Sequence, residues 1–497
     1  MLPSPQMPVD AQNAPIFGLP SELTESIVVL LAEYPVAIAA FAQTCRHFRS
    51  LVYATADDHL WRNLFLALHD DPRRAYRAVP PSPLVKWGEE YQRRVRAYNY
   101  FRREQMLYSR IPEHYADPSA VLAFEALQTL HSMIDTTTPH PPAAGVAPQP
   151  CEESLIKAHY RAPNFSPHPF DLKEPTKTML MYRNIVYYGI PINLVRELHR
   201  ETNHATPELH KLIAFSGLHT CRTDEELPEP SLTESVPITL LVGRPKVTNV
   251  NLVAFKQHML FEAKRTVYNM DYPTKDRLYG PFCRVSGRRS TNSCDHYPHW
   301  KHLAAVRLVV QEAMVEEFAN EGPEFPMTEP MALRSRWVTL PSIPTPLSEN
   351  SPSNLSSERD WAGVTGLWRR LVTWYGYGSL LDLNDTDFDE VVMGNVFEIR
   401  TCVPVRLRVV GYIHDDGSPA DFPTIKTEEG RVSMLSDGSV RWTTWSYTDA
   451  SKRKRQWVSE GVQIGGIGST AGAIGMWTGA SHEDGDPIGA WWQWRVE

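Results

Sequence analysis

The sequence predicts an α+β multidomain chain: short N-terminal helices, a mostly helical middle region, and an antiparallel β-barrel or sandwich at the C-terminus. Three observations predict it. Apolar residues recur every three or four positions between Phe17 and Phe65, and again around residue 306. That period disappears after Trp361, where short alternating runs bounded by turn residues take over. The 41 prolines cluster between these textures, and 497 residues are too many for one hydrophobic core.

Taken in order, residues 1–14 read as a disordered tail lacking the basic and apolar regions of a secretory signal. Pro20 and Glu22 suit a first helical turn, and Leu23, Ile27, Leu30 and Leu31 form its apolar stripe. After Pro35 a second stripe runs Ile38, Phe41, Cys45, Phe48, Val52. Asp57 or Asp58 then caps a third helix carrying Leu60, Trp61, Leu64 and Phe65. Three such short helices cannot cover all these side chains, and each one left in water forgoes roughly 1.5–3 kcal/mol. A partner surface is the expected remedy.

The pieces Leu19-Pro20-Ser21-Glu22-Leu23, Ile27, Leu30-Leu31, Thr44-Cys45-Arg46-His47-Phe48 and Leu60-Trp61-Arg62 together resemble an F-box. The loop departs from that family, with Glu33-Tyr34-Pro35 where many members carry an aspartate–leucine pair. The resemblance implies a three-helix module, residues 15–68, that docks on a Skp-type adaptor and joins a cullin–RING ubiquitin ligase. Its implied adaptor contacts are Leu19, Pro20, Leu23, Ile27, Leu30, Ile38, Phe41, Cys45, Phe48, Leu60 and Trp61.

A helical extension, residues 69–135, contains an arginine-rich helix from Trp87 and another from Pro118 to Ile134, with Val121, Phe124, Leu127 and Leu130 on one face. A tryptophan opening an arginine-rich helix there is a habit of fungal F-box proteins. Residues 136–150 are a proline-rich linker. The middle region, 151–335, has its clearest helix after Pro298, with Leu303, Val306, Val310, Met314 and Phe318 in register; others are expected at Pro191 and after Thr206, and a short strand at Ile238 to Val242. A second linker, 341–358, precedes the β domain, 359–497.

In that domain Trp368–Trp374, Val405–Tyr412, Arg431–Leu435, Val440–Tyr447, Trp457–Ile464, Ile474–Thr478 and Gly489–Val496 read as strands, with Asp437-Gly438 as a two-residue hairpin turn. A succession of hairpins favours a barrel, because closure removes exposed edges. Trp361-Ala362-Gly363, Gly366-Leu367-Trp368-Arg369-Arg370, Ser459 to Gly466 and Gly475-Met476-Trp477-Thr478 are similar to the C-terminal signature of the fungal F-box proteins. The layout also resembles human F-box-only proteins with a lipocalin-like (calycin-like) barrel as substrate receptor.

The formal net charge of −8 argues against a broad nucleic-acid face, and no run of about eighteen apolar residues would span a membrane. Six scattered cysteines suggest reduced thiols in cytoplasm or nucleus. Gly466-Ile467-Gly468-Ser469-Thr470-Ala471 has the letters of a dinucleotide fingerprint without room for the following helix, so a glycine-rich strand is expected. Cys294, His296, His299 and His302 lack the second arm of a zinc site, and His199, His204 and His210 lack the zinc-protease spacing. Cys45 reads as a small buried hydrophobe, and Lys452 to Arg455 as a solvated hairpin tip. No catalytic constellation, cofactor or metal site is expected.

Trp442, Trp445, Trp457 and Trp477 are the candidate substrate contacts. Alternation sends Trp442 and Trp445 to opposite faces, and the tryptophans serve either as anchors for a bound peptide or as packing on both faces. The expected function is a substrate-recognition subunit of an SCF-type ligase. The alternative is a small-molecule-binding barrel with a ligase-independent F-box tether, recognisable by a hollow interior.

Overall fold

The computed structural model describes residues 18–32, 34–54, 58–69, 85–107, 120–135, 190–191, 206–219, 249–270, 280–284, 296–319, 360–385, 398–414, 422–447, 454–465, 467, 471–481, 483 and 486–495. The strand expected at Ile238 to Val242, both linkers and most of the tip around Lys452 lie outside them.

Four short helices open the chain: α1 (Ser21–Val29), α2 (Pro35–Thr44), α3 (Arg46–Tyr53) and α4 (His59–Leu66). The second expected helix is thus two, broken at Cys45, whose backbone is extended with φ −157° and ψ 168°. Thr44 contributes to the break: its hydroxyl donates to the Phe41 carbonyl at 2.7 Å, and its branched Cβ disfavours helix. Phe41 and Phe48 stack across the corner at 4.2 Å. Cys45 is half-buried, at the junction and outside any helical stripe. Asp58 stands at the N-cap of α4 without a side-chain capping bond.

The core of this bundle is Val28, Ile38, Val52, Leu60, Leu64 and Phe65, closed by Trp87 and Tyr91 of α5 (Trp87–Leu107). Tyr91 donates its hydroxyl to the Ala32 carbonyl at 2.7 Å, and Trp61 donates its indole N–H to the Val52 carbonyl at 2.9 Å. Helix α6 (Ala120–Asp135) lies on α5, with Arg93 donating to Ser132 Oγ at 3.0 Å. Helices α7 (Thr206–Ser216), α8 (Asn249–Val267) and α9 (Trp300–Ala319) follow. Ile190–Pro191, where a helix was expected to begin, forms a short parallel pair (β1) with Leu218–His219 (β2). Phe282–Arg284 (β3) and His296–Pro298 (β4) form a small hairpin.

The C-terminal part is a curled, nine-stranded, entirely antiparallel half-barrel: β5 (Gly366–Tyr375), β6 (Glu398–Leu407), β7 (Val409–Ile413), β8 (Thr424–Thr427), β9 (Gly430–Met434), β10 (Val440–Tyr447), β11 (Arg455–Gln463), β12 (Ala473–Gly479) and β13 (Ile488–Arg495). A short helix, α10 (Tyr377–Asn384), follows β5. The hydrogen-bonded order is β6-β5-β13-β12-β11-β10-β9-β8-β7. Its two outermost strands, β6 and β7, are separated in sequence by Arg408 alone. One bent stretch of chain therefore pairs with β5 through its first part and with β8 through its second. The curl is returned on itself by the backbone.

The β9–β10 turn is longer than two residues: Leu435 and Ser439 bracket it, and Gly438 takes φ +83°, a conformation glycine adopts without strain. Asp437 accepts from the Ser439 N–H at 3.0 Å.

Helices cover the convex face of the sheet. Leu371, Tyr375, Val462, Ile474, Met476, Trp492 and Trp494 share one core with Leu303, Val306 and Val310 of α9. Arg307 is fully buried there, its guanidinium 4.0 Å above the Trp492 ring. Tyr268 donates to the buried Glu398 carboxylate and accepts from Thr373 Oγ1 at 2.7 Å, joining the end of α8 to β5 and β6. Arg441 and Glu460 form a buried pair at 2.8 Å, with Phe282 against the guanidinium.

Candidate functional site

Two surfaces stand out: the outer side of α1 and the concave side of the sheet. On α1 the residues that enter the core are Thr24 and Val28, with Ala32 just beyond. Leu19, Leu23, Ile27 and Leu30 are exposed at 39, 52, 41 and 80%, Pro20 is exposed beside them, and Tyr34 and Val36 extend the patch at 60 and 81%. Positions 23, 27 and 30 fall on one helical face. The apolar stripe of α1 is therefore the face turned outward, and the smaller residues beside it hold the bundle.

The other residues expected to touch an adaptor divide differently. Ile38, Phe48, Leu60 and Trp61 are buried inside the bundle, while Phe41 and Cys45 are half-buried. They hold α2, α3 and α4 together behind α1. The exposed face is Leu19, Pro20, Leu23, Ile27 and Leu30.

On the concave side, strand register aligns Val372, Trp491, Gly475, Gly461, Trp442, Val432 and Ile425 as successive partners across seven strands. Two tryptophans flank two glycines in this row. A Cβ on Gly461 would lie 2.5 Å from Trp491 Cζ2, and one on Gly489 would lie 2.3 Å from Trp477 Nε1. Glycine makes room for indole, which is why these strands are rich in both.

Trp442, Trp491 and neighbouring Trp368 are fully buried and fill their part of the face, with Trp368 and Trp442 edge-to-face at 5.2 Å. The strap before β5 covers them: Trp361 donates to the Pro423 carbonyl at 2.8 Å, and Asp360 accepts from the Val364 and Thr365 N–H groups at 2.8 and 2.6 Å. Around Trp374, Trp457 and Trp477 the face is looser. Trp477 meets Trp457 and Trp374 edge-on at 5.3 and 6.1 Å, and Trp374, Val372 and Trp457 stay partly accessible.

Of the four candidate tryptophans, Trp457 and Trp477 thus stand together, Trp442 is sealed in the filled part, and Trp445 is on the opposite face beneath Arg455, 4.0 Å from its ring. The interior is neither wholly filled nor wholly hollow.

Sequence reasoning assigns Arg370 and Gln493 no role in a site. Arg370 lies between Trp368 and Val372 on the concave side, and its Nε donates to Gln493 Oε1 at 2.8 Å. Burial lowers its pKa to about 10, opposed by the Glu429 carboxylate, so it remains a cation at neutral pH. A charged residue at an inward position of an alternating strand was the signal that could have found it.

Among the described residues, no group of three or more His, Cys, Asp or Glu is placed to hold a metal ion. His296 and His302 are buried, and Cys294 lies outside those residues. The chain runs from Ala471 straight into β12, with no helix to receive a pyrophosphate. No described helix is long and apolar enough to cross a membrane. Comparisons with family models, curated proteins and solved structures find no match for this chain.

Proposed function

We propose that this chain is a substrate-recognition subunit of an SCF-type cullin–RING ubiquitin ligase, docking on a Skp-type adaptor through an F-box and holding a target protein with its C-terminal β domain. The observation that carries the reading is the outward face of α1. Leu19, Pro20, Leu23, Ile27 and Leu30 remain at the surface while Val28 and Ala32 supply the internal packing. An apolar stripe on a short helix is costly in water and favourable in a hydrophobic groove. The motif order Leu19-Pro20, Cys45-Arg46 and Leu60-Trp61 is similar to that of the F-box family, which supplies the identity of the groove. Catalysis in such a complex is a rise in effective concentration, and this chain contributes position.

The test is co-purification of the full chain with a Skp-type adaptor. Binding at micromolar concentration is expected, and Leu23→Asp with Ile27→Asp should abolish it while leaving the circular dichroism spectrum unchanged. A folded native chain that fails to bind refutes the proposal.

A second reading, a barrel that binds a small molecule, is favoured by the accessible part of the concave face around Val372, Trp374 and Trp457. The two readings are compatible, because they use opposite ends of the chain.

A further inference from the structure

Three tryptophans and one carboxylate meet at a corner of the concave face. Trp477 stands between Trp457 and Trp374, whose rings are set at 83° and 82° to its own with centroids 5.3 and 6.1 Å away. Its indole N–H donates to the Thr373 carbonyl at 3.2 Å, and the missing side chain of Gly489 leaves room for that edge of the ring. The middle ring is thereby fixed, with the flanking rings upright to it. An edge-to-face contact covers one face of one ring only, so π faces remain in this corner, and Trp374 and Trp457 keep solvent-accessible surface.

The carboxylate is that of Asp486. Gly479 follows Trp477 by two residues on β12 and pairs with Trp457 of β11, so a side chain there would point to the same face as both rings. Asp486 stands in that place: a Cβ on Gly479 would lie 2.1 Å from Asp486 Oδ2 and 2.6 Å from Oδ1. The carboxylate therefore lies on the concave face beside the tryptophans, and it too is part-accessible. Oδ2 accepts from the Glu483 N–H at 2.9 Å, and among the described residues Asp486 has no cationic partner. Nor does any described lysine or arginine lie over Trp374, Trp457 or Trp477; Arg455, two residues from Trp457, is turned to Trp445 on the opposite face.

The chemistry of these groups defines the complement. The faces of indole rings carry negative charge, and with a carboxylate beside them they attract a cation. A metal ion would find one carboxylate and too few further ligands. An ammonium clothed in methyl groups fits better, because it holds water weakly and presents an apolar skin to the flat rings while keeping its charge for Asp486.

We infer that the corner formed by Trp374, Trp457, Trp477 and Asp486 is a binding site for an alkylated ammonium group. This names the ligand class for the small-molecule reading above and rests on it; adaptor docking is independent of it.

The experiment titrates choline into the full-length chain, follows indole emission and heat, and repeats both with 3,3-dimethylbutan-1-ol, which has the same shape and no charge. Saturable binding of choline below about 10 mM, about tenfold or more tighter than the alcohol, is expected. Trp457→Leu should remove that preference, and Asp486→Asn should weaken choline by about two- to fivefold while leaving the alcohol unchanged. A third arm uses Nα-acetyl-Nε-trimethyllysine amide: tighter binding than choline assigns the ammonium to a side chain of a bound protein, and weaker binding assigns it to a free amine. Equal affinity of choline and the alcohol for the native chain overturns the ammonium site and leaves the accessible face standing as a binder. Binding of neither overturns both. A choline preference untouched by both variants places the cation elsewhere and overturns the site. If Trp457→Leu proves unfolded by circular dichroism, the native comparison and Asp486→Asn decide.

Discussion

Replacing Gly461 by alanine tests whether glycine–indole complementarity sets the inside of the sheet. The new Cβ would stand 2.3 Å from the Ile474 carbonyl oxygen, 2.5 Å from Trp491 Cζ2 and 2.9 Å from the Ile474 carbonyl carbon. Trp491 is fully buried and its indole N–H, on the same edge of the ring as Cζ2, donates to the Met476 carbonyl at 3.1 Å, so the ring is held in place. The Ile474 backbone belongs to the β11–β12 ladder and is equally fixed. Neither neighbour is the loose end of a flexible chain, and relief requires strands to separate. Overpacking of this kind costs about 1–3 kcal/mol, and two immovable neighbours place the expected loss toward the upper end. Urea unfolding followed by indole emission reads it as a lower midpoint. Gly378→Ala, in α10 with nothing within 4 Å of the new carbon, is the control and should be neutral or stabilising by up to about 1 kcal/mol. Adding Trp491→Phe to Gly461→Ala should recover only part of the loss, since the clash with Ile474 remains. A midpoint for Gly461→Ala no lower than that of the Gly378→Ala control refutes the reasoning.

The other expectations concern the helices and their junction with the sheet. Leu64→Ala, at a fully buried site, should cost about 2–5 kcal/mol, whereas Leu23→Ser on the exposed face should stay within about 0.5 kcal/mol; chemical unfolding of the two compares core with surface. Tyr268→Phe takes a donor from the buried Glu398 and should destabilise by about 1–3 kcal/mol, read as a lower thermal midpoint. His131 has its pKa lowered to about 3 by burial and by Lys211, which outweigh the hydrogen bond from Nε2 to the Glu208 carbonyl at 2.9 Å and the nearby Glu208 carboxylate at 3.4 Å. The unfolded chain then binds a proton the folded chain refuses, so this contribution is complete above about pH 6.5 and declines as pH falls toward 3, by at most about 1.4 kcal/mol per unit. His131→Gln should flatten that part of the stability–pH curve, measured by denaturant midpoints between pH 7 and 4; an unchanged slope contradicts it.

Where the sequence was readable, one period dominated. The helix after Pro298 has Leu303, Val306, Val310 and Met314 fully buried, and the strands from Val440 to the C-terminus lie where alternation places them. On α1, periodicity finds the stripe Leu23, Ile27 and Leu30 without saying which residues beside it pack inward. Here Val28 and Ala32, smaller and half a turn away, took that place. Strand β6 was seen only in its last residues because its first half runs Glu398-Ile399-Arg400-Thr401-Cys402 at an edge, with both faces part-exposed and little apolar contrast. The split at Cys45 was hidden by an apolar series that continues across it, Phe41 to Phe48, although the backbone turns there. Arg370 is legible only as part of the Gly366 to Arg370 motif, because its inward placement depends on strand register that the local pattern does not fix.

The middle of the chain bears on how the two ends work together. From α1 to the concave face, buried and part-buried contacts follow one another with a named pair at each joint. Tyr91 holds Ala32, Arg93 holds Ser132, and His131 reaches the Glu208 carbonyl. Phe215 meets Trp300 edge-on at 5.6 Å, and Arg307 lies on Trp492. Trp492 neighbours Trp491 in β13, and alternation turns that residue through the sheet into the opposite core. The helices are therefore more than a tether between α1 and the concave face of the sheet. They are continuous with the convex side of the sheet, and in interiors packed this closely a displacement at one joint is resisted by the next. For a subunit proposed to work by holding a target at a set distance from an adaptor, that continuity is the property that matters, and Arg307 is its most exposed weakness. Its three guanidinium nitrogens have no hydrogen-bond partner among the described residues, and burial lowers its pKa to about 9. The stacking on Trp492 and the adjacent C-terminal end of α7 at Gly217 are what offset that desolvation. The sheet and the helices are coupled through a cation that either partner alone would leave stranded.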